Sequence, residues 1–125
     1  MTAIEHEGPV RRGIGVWFAV FVGPIGAWAV HLVASASLVK ASCAHTWAET
    51  AMHVVTAVTL AVALVCMALS WRLLRAGGDA DESAHDAPGR VRFLGLLGLG
   101  IGAFNVALIV LEEVYIVAFH GHSCG

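Results

Sequence analysis

The residues best equipped for chemistry in this chain stand where polar groups are hardest to keep. His31, His53, Asn105 and Glu112 all fall inside long apolar runs. A charge at membrane depth is costly and is held for a partner or a function. With a helical rise of about 1.5 Å per residue, His31 lies roughly 12 Å below the end of the first run at Val39. His53 lies roughly 10 Å below Thr46, and Glu112 roughly 12 Å below His120. The three groups therefore share a depth and are predicted, with Asn105, to form an intramembrane polar cluster. Glu49 and His53 are four apart and share a helix face, as do Asn105 and Glu112. Glu113 points about 100° away from Glu112, so it is expected to reach headgroups or another subunit.

Carboxylate and imidazole at one depth suit three kinds of chemistry. The leading reading is a clamp, in which Glu112 pairs with His31 or His53 and holds three helices in register. The second is proton handling or quinone contact, because histidine titrates near neutral pH. The third is axial haem ligation by His31 and His53, which three short helices would cover poorly. No catalytic residue is predicted.

A second group gathers near the ends of the runs. Cys43 and Cys124 fall on the same side and invite a disulfide in an oxidising compartment. His45, His120 and His122 flank them, and thiolate with imidazole suits copper or zinc. Their spacing matches no zinc-finger pattern, so these three are secondary candidates for a metal site. Cys66 reads as a small buried apolar residue.

The elements that must position these groups are membrane spans. The chain has 125 residues, 58% of them hydrophobic and 13% charged, against about 25% charged in soluble domains. This composition predicts an integral membrane protein and offers no basic run for nucleic acid. Neither a Walker motif, a dinucleotide fingerprint nor a Gly-x-Ser-x-Gly elbow occurs. Three apolar runs predict helices over about 14–39, 47–75 and 91–120 in a single membrane domain spanning 1–125. The first run is longer than a signal-peptide core, although Ala34-Ser35-Ala36 resembles a cleavage site. Pro24 should kink it. Thr46-Trp47-Ala48-Glu49 fits a capping box that starts the second helix. Residues 76–90 read as an acidic loop whose Gly, Asp and Pro forbid a continued helix. Arg11, Arg12, Arg72, Arg75, Arg90 and Arg92 fall on one side of the three spans, and Lys40 on the other. The positive-inside rule then puts the N-terminus and the 76–90 loop in the cytoplasm and the C-terminus outside.

The third run carries its own packing signal. Gly95, Gly98, Gly102, Asn105, Ile109, Glu112 and Ile116 follow at spacings of three or four and share one face. The glycine part of that face should let another helix approach closely.

The pattern Gly23-Pro24-x-x-x-Trp28-x-x-His31-Leu32, followed by Cys43-Ala44-His45, an early histidine in the second helix, Arg92-Phe93-Leu94 and a closing Cys124, resembles small uncharacterised bacterial membrane proteins encoded beside haem–copper cytochrome c oxidases. The resemblance spans nearly the whole chain. It implies an accessory or small-subunit role in a respiratory oxidase and carries over no catalytic residue. Glu112-Glu113 has no counterpart in that pattern.

Together these readings give an all-α membrane protein of three transmembrane helices, N-terminus inside and C-terminus outside, in the bacterial inner membrane. The expected function is a non-catalytic accessory subunit or assembly factor of a respiratory complex. The alternatives are a small redox protein binding haem, quinone or copper, and an oligomeric transporter or channel. No cofactor is predicted under the leading reading. The expected partners are the lipid bilayer and other membrane subunits, since three helices do not bury the glycine stripe and the polar cluster alone.

Overall fold

The computed structural model describes residues 13–78 and 87–123, and the side chains of the last helix from 88 to 119. The described chain is all-helical. Its helices are α1 (Gly13–Ser42), α2 (Thr46–Ala76) and α3 (Ala87–Ser123). All three are long and apolar enough to cross a membrane. At about 1.5 Å per residue, the 31 residues of α2 span roughly 46 Å, more than the roughly 30 Å of a hydrocarbon core.

The helices run up, down and up. Gly95 of α3 meets Leu74 of α2, Gly98 meets Ser70, and Gly102 meets Met67, so one number rises as the other falls. The α1–α2 pairing is antiparallel in the same way, with Gly23 against Cys66 and His31 against Thr56. Glycine matters most at Gly95. A Cβ there would lie 2.5 Å from the Leu74 nitrogen and 2.9 Å from the Ser70 carbonyl oxygen, which are backbone atoms with little freedom to move. Gly98 instead abuts the Ser70 hydroxyl, which is buried without a hydrogen-bond partner among the described residues.

Where the sequence predicts a kink at Pro24, α1 has a π-helical segment, Phe18–Val22. The Gly23 N–H reaches back to the Phe18 carbonyl, one residue further than in an α-turn. Pro24 has no N–H, and its ring would crowd the carbonyl four residues back in a regular helix. The wide turn placed just before it accommodates both features.

Two expectations about helix ends need correction. The last helix starts at Ala87, inside what reads as loop, with Pro88 in its first turn. Proline breaks a helix interior but suits a first turn, where its missing N–H would have had no partner. The start of α2 also differs from the expected capping box: His45, not Thr46, is the N-cap, its φ and ψ are extended, and its side chain makes no cap hydrogen bond. Thr46 is already the first helical residue. At the other end of α2, Gly78 adopts φ +57°, which favours glycine, and its carbonyl accepts a hydrogen bond from the Arg92 guanidinium at 2.5 Å. That contact ties the end of α2 to the start of α3.

The buried core is small. Ala27, Ala63 and Ile109 meet at its centre, with Trp28, Leu60 and Val106 packed around them. In the most apolar 18-residue stretch of each helix, only 28–33% of the residues are buried within the chain. Much of the rest is exposed apolar surface that includes Val30, Val33, Val58, Val65, Phe104 and Leu111, a composition suited to lipid or to other subunits.

Candidate functional site

The polar groups of the three helices meet in one hydrogen-bonded chain towards the α1–α2 loop end of the bundle. His31 is its centre and is fully buried. Its Nδ1 lies 2.6 Å from Glu112 Oε2 on α3, and its Nε2 lies 2.8 Å from Thr56 Oγ1 on α2. The Thr56 hydroxyl donates to Glu113 Oε2 at 2.6 Å and approaches the Met52 carbonyl at 3.1 Å. Glu113 Oε1 pairs in turn with His53 Nδ1. At the opposite end, the Trp28 indole N–H donates to Glu112 Oε1 at 3.2 Å. The order of the chain is therefore Trp28, Glu112, His31, Thr56, Glu113, His53.

Local spacing explains this order. Trp28 and His31 are three apart on α1, and His53 and Thr56 are three apart on α2, so each pair lies along one face. Glu112 and Glu113 are adjacent on α3 and point about 100° apart. Because α3 packs against both α1 and α2, the two directions serve different neighbours: Glu112 turns to α1 and Glu113 to α2. The expectation that Glu113 leaves the bundle is thus corrected. It closes the network instead.

Hydrogen-bond roles constrain the protons. Thr56 has one hydroxyl hydrogen, and when it goes to Glu113 the hydroxyl must accept from His31 Nε2–H. One further proton then lies between His31 Nδ1 and Glu112, and the pair is electrically neutral overall wherever that proton rests. Neutrality of this kind is what a low-dielectric site requires of paired ionisable groups. The chain is sealed in the middle and open at both ends: side-chain exposure is 0% at His31, 27% at Glu112, 24% at Glu113 and 43% at His53.

Asn105 does not join the cluster. It is buried on the same face as Glu112, but its Nδ2 donates 2.8 Å back to the Ile101 carbonyl of its own helix. An amide satisfied at i−4 has no need of a neighbouring helix. It lines a groove of about 600 Å³ between α1 and α3 with Ile25, Trp28, Leu97, Ile101 and Phe104. Thr56 and Trp28 are the members that the sequence reading omits. The His53–Thr56–Thr59 spacing, a polar stripe at steps of three, is the signal that could have found Thr56.

Haem ligation by His31 Nε2 would require its bond to Thr56 to break, whereas the Nδ1 bond to Glu112 could remain. Among the described residues no three His, Cys, Asp or Glu side chains gather in a metal-binding group. His45 is exposed and stacks on Trp47 with ring centroids 6.0 Å apart. The His120 and His122 side chains and all of Cys124 lie outside the described residues. Cys43 is disulfide-bonded, and Cys66 is free and buried. No family model, curated protein or solved structure matches the chain. Fold and site define a class: a small α-helical membrane protein with three candidate spans, joined internally by a buried chain of side-chain hydrogen bonds.

Proposed function

We propose that this chain is a non-catalytic accessory subunit or assembly factor of a larger membrane complex, a haem–copper cytochrome c oxidase being the host that the sequence resemblance implies. The observation that carries the reading is the half-open polar edge. Glu112, Glu113 and His53 are 27%, 24% and 43% exposed at the flanks of the bundle, inside spans with much exposed apolar surface. Leaving such groups against hydrocarbon costs several kcal/mol, and a neighbouring subunit removes that cost. The internal hydrogen bonds make the chain a compact unit that can dock as a body.

The proposal includes an N-in, C-out arrangement in a bacterial inner membrane, supported by the six arginines on one side. It also includes a Cys43–Cys124 disulfide on the outer face, supported by the bonded state of Cys43 and the free state of Cys66.

The test is purification of a tagged chain in mild detergent from its native membrane. Oxidase subunits should accompany it in fixed ratio, and the chain released from them should show no Soret band and no bound copper. Haem or copper retained stoichiometrically by the isolated chain would overturn the reading in favour of a redox protein. A homo-oligomer free of other subunits would overturn it in favour of a transporter or channel.

A further inference from the structure

We propose that the hydrogen-bonded chain His53–Glu113–Thr56–His31–Glu112 carries protons from the edge of the membrane through the bundle to the groove between α1 and α3. A clamp needs only pairs. This arrangement is continuous, and each of its members can both release and accept a proton. It runs from one side of the bundle to the other. The inlet is His53, open on the α2–α3 side, whose Nε2 has no hydrogen-bond partner among the described residues. The outlet is Glu112, which lines a groove of about 390 Å³ with Leu32, Ser35, Ala36, Leu108 and Tyr115. Between them lies His31, which is fully buried, so a proton can reach it only along the chain or by opening of the helices.

Depth places the inlet close to water. If α2 is centred in the bilayer, the hydrocarbon starts about 8 Å from either end of this helix of about 46 Å. His53 lies roughly 10 Å from Thr46 and is thus close to the boundary where water is available. The titratable groups facing the chain are His31 from α1, His53 from α2, and Glu112 and Glu113 from α3, with Glu49 one turn beyond His53 on α2.

The transfer balances as a series of exchanges. A proton binds His53 Nε2, and the Nδ1–H bond breaks as Glu113 Oε1 takes its proton. The onward step requires the Thr56 hydroxyl to have turned first to a bare His31 Nε2, with Glu113 protonated on Oε2 and His31 on Nδ1; as Oε1 gains its proton, Oε2 passes its own to Thr56 Oγ1, and the original Thr56 hydrogen passes to His31 Nε2. His31 releases its Nδ1 proton to Glu112 Oε2. One proton has entered and one has arrived at Glu112, no electron has moved, and the path resets when Glu112 releases its proton into the groove, the Glu113 carboxyl and the Thr56 hydroxyl turn, and the imidazole tautomers exchange. The Glu113–Thr56, Thr56–His31 and His31–Glu112 steps cross 2.6, 2.8 and 2.6 Å, distances at which a proton moves without displacement of the heavy atoms.

Thr56→Val removes the only hydroxyl in the path at nearly constant volume, and Thr56→Ser restores it. The full-length protein, labelled with 15N-histidine in lipid nanodiscs, should show His31 ring N–H exchange with water that slows about tenfold or more in Thr56→Val, as one interrupted step would make it. Thr56→Ser should return it towards the wild-type rate, and the backbone amides around His31 should stay equally protected in all three proteins, which excludes helix opening as the route. Should Thr56→Val fail to assemble, His53→Phe decides, because it removes the exposed inlet and leaves the buried pair untouched. The same slowing is expected. His31 exchange at the wild-type rate in either well-folded variant would overturn the proposal, whatever complex the chain proves to join.

Discussion

Gly95→Ala is the sharpest test of how α2 and α3 are held together. The added methyl would lie 2.5 Å from the Leu74 nitrogen, 2.8 Å from its Cα and 2.9 Å from the Ser70 carbonyl oxygen. Opening the tightest of these to an ordinary 3.4 Å withdraws α2 by roughly 0.9 Å. No rotamer change absorbs that shift, because every atom met is backbone. Overpacking of this kind costs about 1–3 kcal/mol, against a helix-propensity gain of up to about 1 kcal/mol for replacing glycine with alanine. The net expectation is a loss of up to about 2 kcal/mol. Gly100 is the control, since a Cβ there meets nothing within 4 Å and its alanine variant keeps the propensity gain without the clash. Gly102→Ala should fall between the two, because the Met67 side chain that it meets can turn aside, and Gly98→Ala should lie nearer Gly95→Ala, because the Ser70 hydroxyl can turn but its Cβ, 2.9 Å away, cannot. Unfolding in detergent followed by far-UV circular dichroism gives the ranking. A Gly95→Ala protein as stable as Gly100→Ala would refute the close approach of these two helices.

Three further outcomes are expected. Glu112→Gln should keep the bundle within about 1 kcal/mol of wild type, since an amide still bonds His31 and interhelical bonds in membranes average well under that value. Glu112→Leu strands the buried His31 Nδ1 and the Trp28 N–H and should cost about 1–3 kcal/mol in the same unfolding assay; equal stability of the two variants would show that this pair holds nothing together. Peptide mapping without reductant should yield a linked Cys43–Cys124 pair, worth up to about 4 kcal/mol on the chain-entropy model, and alkylation of both thiols would exclude it. Reporter fusions at Gly78 and after Gly125 should report opposite sides of the membrane, and equal sidedness would remove a span.

How far the sequence could be read depended on how much each signal relied on a single helix. The apolar runs and the face shared by Gly95, Gly98 and Gly102 are properties of one helix each, and in the structure that face lies against Met67, Ser70 and Leu74. His31 and Glu112 could be matched by depth alone. Glu113 could not, because a single stripe implies one partner face for α3 while the packing gives it two, so adjacent residues serve separate neighbours. Asn105 failed for the opposite reason: a face shared with Glu112 says nothing about an amide that can satisfy itself on the turn below. Thr56 left little trace, since a threonine in an apolar helix ordinarily bonds its own backbone, as Thr59 does to the Val55 carbonyl. The start of α3 is hidden because Pro88 looks like a stop in sequence, whereas its place in the first turn makes it a beginning.

The contact between Gly23 and Cys66 gives the chain a built-in clock. The Cys66 sulfur occupies the space that any larger residue at position 23 would need, and its thiol is 1% exposed. A reagent as bulky as a maleimide has no room there while α1 and α2 are in contact. Each labelling event therefore records one parting of the two helices, and under excess reagent the labelling rate is the rate of that parting. With Cys43 held in the proposed disulfide, a single unmodified chain can report how often its own first two helices separate, in any lipid and with or without a companion subunit bound.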